Sequence, residues 1–145
     1  MASDAYGYRR GPRELVRYGL ISTTADIVEG DMVKVSGTAP FITACAAGDG
    51  AFLGFAAEGA ASPSGNGDTS VLVDVSYQSV YAYPPDSGSI AAAQKGLTVD
   101  IGGTRSIDIN ASTDDVLMIK DVDVAANLVF VSKHYVPAVA EAGVV

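Results

Sequence analysis

The sequence has few of the residues from which disulfide frameworks and metal sites are built. Cys45 is the single cysteine and His134 is the single histidine. One cysteine excludes an intramolecular disulfide framework, and together these two residues are too few for a Cys/His zinc site in one chain. We therefore expect an apolar core to stabilise the fold, and a chain of 145 residues is long enough to bury one.

Long apolar runs and basic residues are scarce as well. No apolar run reaches the roughly 18 residues of a membrane-spanning helix. The opening segment MASDAYGYRRGPRE lacks the apolar stretch of a signal peptide, so we expect a protein made in a cytoplasm and without contact with a membrane. Nine residues are Lys or Arg against 17 Asp or Glu, which gives a net charge of −8.

Short β-type runs separated by turns fill most of the chain, and residues 27–56 show the pattern best. Runs at 32–35, 41–44 and 52–56 alternate with turns rich in Gly, Asp and Ser. Strands bounded in this way predict an all-β fold, either a small β-barrel or β-tulip or a sandwich. Gly54 lies inside the third run, where a glycine often marks a bulge or a close approach of backbone.

Residues 69–77 (TSVLVDVSY) form the clearest strand pattern. Val71, Val73 and Val75 share one face, and we expect that face to be buried and Asp74 on the opposite face to be exposed. The preceding segment 59–68 is small and polar and predicts an exposed loop. Residues 89–96 (SIAAAQKG) are the one candidate for a short helix.

The chain fits a single domain with extensions at both ends. We expect an extended N-terminal arm at 1–16, one β domain at 17–137, and a C-terminal tail at 138–145. Gly7, Gly11 and Pro12 disfavour a helix in the arm. We expect the arm to be poorly ordered until it binds a partner.

Basic charge is concentrated at the N-terminus. The first 18 residues carry a net charge of +2 and the remainder carries −10, because four of the nine basic residues fall in this segment: Arg9, Arg10, Arg13 and Arg17. A basic arm on an acidic body indicates docking to an acidic protein surface. Four arginines without a basic face give too small a footprint for nucleic acid. A solvated terminus without function is the alternative.

No residues combine into a catalytic or cofactor site. Cys45 lies among alanines, as a small buried apolar residue does, and His134 follows the last strong strand. Asp121 and Asp123, with Asp114 and Asp115 nearby, lack the glycine and distal Glu of a calcium loop, so we expect them in turns or facing solvent. We expect no catalytic residue, no metal and no cofactor.

The order of elements in residues 30–83 resembles the head-decoration, or capsid cement, proteins of tailed bacteriophages. The quoted segments are GDMVKV, APFITACA, AFLGFAAEGA, TSVLVDV and YQSVYAYP, in this order. The resemblance implies a small β-barrel or β-tulip that forms a homotrimer on the capsid exterior and contacts the major capsid protein through extended termini. Residues 97–135 extend beyond the smallest members of that family, which leaves the number of strands open.

These observations lead to one expected function and two alternatives. We expect a structural virion protein that cements adjacent major capsid protein subunits on the outside of the expanded head. The capsid contacts are expected in the arm, at Tyr6, Tyr8, Arg9, Arg10, Arg13 and Arg17. A structural β-module of a phage tail or baseplate is one alternative. A carbohydrate- or receptor-binding β-sandwich that uses Tyr77, Tyr81 and Tyr83 is the other.

Overall fold

The computed structural model describes residues 6–134, and this part of the chain is built from β-strands. It contains no α-helix, only a 3-10 helix at Ala92–Gln94 within the predicted helical segment 89–96. The predicted all-β fold with at most one short helix is therefore confirmed. The strands are β1 (Gly7–Arg10), β2 (Leu15–Gly19), β3 (Met32–Val35), β4 (Ile42–Ala44), β5 (Phe52–Ala56), β6 (Ser70–Asp74), β7 (Val80–Tyr83), β8 (Thr98–Gly103), β9 (Ser106–Asp108), β10 (Leu117–Asp123) and β11 (Leu128–Lys133).

The strands form two antiparallel sheets. One sheet has six strands in the order β1-β7-β11-β10-β8-β9, and the other has five in the order β2-β6-β5-β3-β4. Isolated bridges join the two margins of the five-stranded sheet at one point, between Leu20 and Ile42, and join β9 to the residues after β7 in the six-stranded sheet, between Pro85 and Ile107. Because a single bridge is not a ladder, neither sheet is a closed barrel. The sandwich is the architecture that the structure supports.

The larger core joins the two sheets. Met32 and Phe55 of the five-stranded sheet pack in one buried cluster with Tyr81 and Tyr83 of the six-stranded sheet. The rings of Phe55 and Tyr81 are stacked, with their centroids 3.9 Å apart. Large aromatic side chains contribute much of the apolar area buried in such an interface, so this stack is central to the association of the sheets.

A second, smaller core lies on the opposite face of the five-stranded sheet. Neighbouring residues of a strand point to opposite faces, and Val33 and Ala56 follow Met32 and Phe55 directly. The cluster is made of Leu20, Ile27, Val33, Ile42, Ala56, Val71 and Val73. The five-stranded sheet is thus buried on both faces.

Burial on both faces explains one wrong prediction on β6. Val71 and Val73 point into the smaller core as predicted, and Val75 is half-buried beside it. Asp74, predicted to be exposed, is fully buried on the other face. The side chains of β6 alternate between two faces as predicted. The face predicted to be exposed is covered by the six-stranded sheet and by residues 13 and 14.

The predicted division into arm and domain differs from the structure within the described residues. Gly7–Arg10 form an edge strand on β7, and the next strand begins at Leu15 rather than at residue 17. Residues 6–16 are therefore part of the β fold. Residues 1–5 of the predicted arm, the end of the predicted domain at 135–137 and the tail at 138–145 lie outside the described residues.

The loop at 59–68 is mostly exposed, as predicted, yet it is held at several points. Ile27 and Ala60 exchange two backbone hydrogen bonds, and the Gly67 N–H donates to the Leu20 carbonyl. Pro63 is buried. Among residues 6–134 no helix has the length and apolar character needed to cross a bilayer.

Candidate interaction surface

Residues 6–19, which we call the N-terminal flank, run along one side of the sandwich and belong to both sheets. β1 lies at the margin of the six-stranded sheet on β7, and β2 lies at the margin of the five-stranded sheet on β6. The chain crosses between the sheets at Gly11, which has a φ of 93°. A Cβ at this position would lie 2.4 Å from the carbonyl oxygen of Gln78. Only glycine fits here without strain.

The two flank tyrosines pack on the buried tyrosines of β7. The Tyr6 ring stacks on Tyr83 with 6.3 Å between centroids, and the Tyr8 ring meets Tyr81 edge to face at 5.5 Å. The Tyr8 hydroxyl also donates to the Gly11 carbonyl over 2.7 Å. Such aromatic pairs add about 0.5–1.5 kcal/mol beyond their buried area. These contacts hold the flank to the body.

Arg13 is fixed by a polar cluster beneath the flank. Its Nε lies 3.6 Å from Oδ2 of Asp74, and its Nη2 donates to the Tyr81 hydroxyl over 3.3 Å. The guanidinium also lies 4.4 Å from the centroid of the Tyr8 ring. Burial alone would lower the pKa of Arg13, but Tyr81 and Asp74 raise it above its ordinary value. Arg13 thus stays charged and serves mainly as the cation for a buried carboxylate.

Asp74 is the acceptor at the centre of this cluster. Oδ1 accepts the backbone N–H groups of Glu14 and Ser76, each over 3.1 Å, and Oδ2 accepts the Tyr81 hydroxyl over 2.9 Å. A buried carboxylate with an ion pair and three hydrogen bonds has its desolvation largely compensated. Burial, followed by the Asp74 charge, raises the pKa of Tyr81 well above its usual value, so its hydroxyl remains a donor.

The remaining arginines of the flank have looser contacts. Arg17 lies 3.2 Å from Glu58 and 3.1 Å from the Ser70 hydroxyl, and just over half of its side chain is exposed. Arg10 lies 5.9 Å from the centroid of the Phe130 ring. Arg9 reaches the carbonyls of its own strand. Arg10 and Arg17 are exposed, and Arg9 is half-buried.

Apolar side chains are exposed beside these cations. Leu15 is 45% exposed, Val16 is 37% exposed, and Tyr77, between β6 and β7, is 47% exposed. An open cleft of about 370 Å³ lies at this end, lined by Pro12, Arg13, Glu14, Ser76, Tyr77 and Gln78. Exposed apolar groups next to charged ones are a common feature of protein contact surfaces.

All six predicted contact residues lie at exposed or half-exposed positions of this flank, and the contacts of Arg13 also give it a structural role. Sequence reasoning missed Leu15, Val16 and Asp74. Leu15 and Val16 carry a readable signal, two apolar residues between Arg13 and Arg17. Asp74 gives none, since a lone carboxylate in a valine strand normally indicates a solvated face.

The residues considered for chemistry lie apart from this surface and in unreactive settings. Cys45 is buried in the larger core, and burial raises the pKa of its thiol to about 12. A thiol in such a setting is not a nucleophile at neutral pH. The Nδ1 atom of His134 lies 2.8 Å from the backbone carbonyl of Asp115.

The predicted acidic residues have structural contacts. The backbone N–H groups of Asp114 and Asp115 donate to the carboxylate of Asp100, and Asp121 forms an exposed pair with Lys95 at 3.7 Å. Within residues 6–134, no three or more His, Cys, Asp or Glu side chains are grouped to hold a metal ion.

The tyrosines proposed for sugar stacking are mostly inaccessible. Tyr81 and Tyr83 are buried in the larger core, and the Tyr83 hydroxyl donates to the Gly30 carbonyl over 2.5 Å. Tyr77 alone of the three presents its ring at the surface. An aromatic platform needs several exposed faces, so these three residues do not form one.

Neither the protein-family models nor the curated proteins searched contain a match to this chain. Its function must be argued from its own surface.

Proposed function

We propose that this protein is a structural virion protein that binds the outer surface of a phage capsid and cements neighbouring major capsid protein subunits. The observation that carries the proposal is the N-terminal flank, where accessible arginines and exposed apolar side chains lie on the margin of an otherwise acidic body. The resemblance of residues 30–83 to capsid cement proteins gives the class of partner.

The charge distribution supports an electrostatic component of the contact. The chain has a net charge of −8, yet Arg9, Arg10 and Arg17 all lie on the flank. A local cluster of cations on an anionic body orients the protein toward an acidic partner patch. Its affinity should then fall as salt increases.

The mechanism follows from differential binding. A protein whose contacts span two subunits only in the expanded shell binds that state and stabilises it by mass action. The proposed homotrimer adds multivalency, since three linked flanks bind more tightly than one.

The test is co-sedimentation with shells of the major capsid protein encoded nearest to this gene, before and after expansion. The R10E/R17E variant should bind expanded shells more weakly than the wild type at low salt, and the difference should shrink at high salt. K95E/K120E makes the same change of charge outside the flank, at the end of the 3-10 helix and on β10, and should bind like the wild type.

Two results would contradict the proposal. Equal binding by R10E/R17E and the wild type would remove the flank from the contact. Absence of binding to either shell, with a monomer in native mass spectrometry, would instead support a monomeric binding module such as the carbohydrate-binding alternative.

A further inference from the structure

Within residues 6–134, the outer side of β2 is an unpaired strand edge. The backbone hydrogen bonds from Val75 N–H to the Glu14 carbonyl and from Leu20 N–H to the Thr69 carbonyl lie at the two ends of the β2–β6 ladder. In an antiparallel pair of strands, the N–H and C=O groups of every second residue both point to the paired strand, and those of the residues between point away from it. The even-numbered residues from Glu14 to Leu20 therefore face β6, and the odd-numbered ones face away.

The outward-facing positions are residues 13, 15, 17 and 19. Among the described residues, the backbone N–H and carbonyl groups of Arg13, Leu15 and Arg17 have no hydrogen-bond partner. At Gly19 the edge is covered, because a Cβ there would lie 3.1 Å from Gly67 and 3.3 Å from the Phe41 ring. The open part of the edge is thus the segment 13–17.

Unpaired edges are normally short, charged or covered, since they otherwise accept strands from other molecules. Within the described residues, the margins at β4 and β9 are partly occupied: the Ile42 carbonyl accepts Ile21 N–H, and Ile107 N–H donates to the Pro84 carbonyl. The segment 13–17 has no such cover and carries the exposed side chains of Leu15 and Val16.

We propose that this edge binds an extended segment of another protein, which adds a strand to the five-stranded sheet and carries a carboxylate on each side of an apolar residue. Main-chain hydrogen bonds at such an edge supply affinity, and alternate side chains supply specificity. The side chains beside the outward-facing backbone are Arg13, Leu15 and Arg17, so the complementary pattern is acidic-x-apolar-x-acidic.

Both ends of the edge carry cations with capacity for another acceptor. The Arg17 side chain uses Nη1 for its contacts with Glu58 and Ser70, and the exposed pair with Glu58 is worth little in water. At the other end, Arg13 is paired with Asp74, and Lys133 lies 4.6 Å from the centroid of the Tyr77 ring, which lines the cleft beside Arg13. The cleft can receive a further side chain of the added strand.

A second copy of this chain fits the edge poorly. The antiparallel pairing that overlaps all three outward-facing positions is centred on Leu15 and sets Arg13 of one copy opposite Arg17 of the other. Like charges directly opposite in a sheet are destabilising. The same arginines that oppose self-pairing favour an acidic strand, so the occupant is a different protein.

The inference rests on the proposed function only for the identity of that protein, and its test uses a synthetic peptide. The probe is Thr-Glu-Thr-Val-Thr-Glu-Thr with blocked ends, whose palindromic sequence makes the test independent of strand direction. The matched control carries Lys in place of both Glu residues. Amide hydrogen exchange followed by NMR on the full chain reports the contact.

We expect the acidic peptide to slow exchange at Leu15 and Arg17, whose N–H groups face outward, and to leave Val16 and Tyr18 unchanged because β6 already protects them. The R17E/E58K variant keeps an ion pair at this position with reversed signs. It should bind the acidic peptide about fivefold more weakly and the Lys peptide correspondingly more tightly. Loss of wild-type affinity at high salt is a second readout if the variant fails to fold.

Equal binding of the two peptides, or slowed exchange only outside residues 13–17, would overturn the inference. Protection of Leu15 and Arg17 that rises with protein concentration in the absence of peptide would overturn it too, since the occupant would then be a second copy. Peptide binding together with absent binding to capsid shells would retain the edge and refute the proposed function. Binding to capsid shells without binding of the peptide would refute the open edge and retain the proposed function.

Discussion

The hydroxyl of Tyr81 donates a 2.9 Å hydrogen bond to the carboxylate of Asp74, and this bond joins the two sheets. Tyr81 belongs to β7 of the six-stranded sheet and Asp74 to β6 of the five-stranded sheet. Arg13 of the flank contacts both side chains. One polar cluster therefore links the flank to both sheets.

The first prediction concerns this cluster. D74N keeps the size of the side chain but leaves the Arg13 cation without its buried anion. We expect the free energy of unfolding to fall by about 2–4 kcal/mol, the range for breaking one side of a buried pair. Urea denaturation measures this change. D86N, at an exposed carboxylate, should change stability by less than about 0.5 kcal/mol; equal effects of the two variants would contradict the role of the cluster.

The second prediction tests the close approach of β5 and β6. A Cβ at Gly54 would lie 2.3 Å from the backbone carbonyl oxygen of Asp74. G54A must separate the two strands, so we expect a loss of about 3 kcal/mol or more, as for other overpacked sites. G37A is the matched control, because an added Cβ there meets nothing within 4 Å. Thermal unfolding that is alike for both variants would show that β5 and β6 adjust without cost.

The third prediction reverses an expectation from the sequence. The sequence alone predicts an arm that is poorly ordered until it binds a partner, and deleting residues 2–13 of such an arm would leave the melting temperature unchanged. In the structure this deletion removes β1, the stacking of Tyr6 on Tyr83, and the Arg13 cation of Asp74. We now expect a loss of at least about 3 kcal/mol, which lowers Tm by about 10 °C in a domain of this size.

The control for this deletion is a chain lacking only residues 2–5, which keeps every contact of the flank described above. It should melt within a few degrees of the full-length protein. If the chain lacking residues 2–13 also melted within a few degrees of the full-length protein, the flank would contribute nothing to stability and would act only in binding.

The fourth prediction concerns acid stability. Burial alone would raise the pKa of Asp49, but hydrogen bonds from Lys34 Nζ and from the Ala46 N–H, and the Lys34 charge, lower it below its usual value. A carboxyl whose pKa is lower in the folded state stabilises above its unfolded pKa, about 3.9, and loses this contribution as pH falls through the folded value.

The difference in unfolding free energy between the wild type and D49N should therefore be constant from about pH 7 to pH 5 and shrink below about pH 4. Denaturation at a series of pH values measures it. A difference that stays constant down to about pH 2 would show that ionisation of Asp49 does not contribute to stability.

Local patterns were enough to place several strands. Phe52–Ala56 is a compact apolar run between turns, and it is β5 with the predicted limits. The apolar run LVFV at 128–131 is likewise part of β11, Leu128–Lys133. In both cases the signal lies within the strand itself, in a short apolar run bounded by turn residues, which is typical of a buried strand.

Features that depend on distant residues were not predictable. Gly7–Arg10 carry no strand pattern and become a strand because β7 offers an edge to them, about 70 residues along the chain. Asp74 is buried because Arg13 and Tyr81 meet it from two other segments. The open edge of β2 follows from the pairing of the sheet, which one strand's sequence does not encode.

The burial of Cys45 makes the protein suitable for site-specific labelling without removal of a native residue. It is the single cysteine of the chain, and a buried thiol with a pKa of about 12 reacts slowly with alkylating reagents. A cysteine introduced by S64C, in the exposed loop at 59–68, would have an ordinary thiol in contact with solvent. A maleimide dye would then mark one known position on the side of the body, and fluorescence energy transfer from that dye to a labelled partner would report the orientation of any complex that forms.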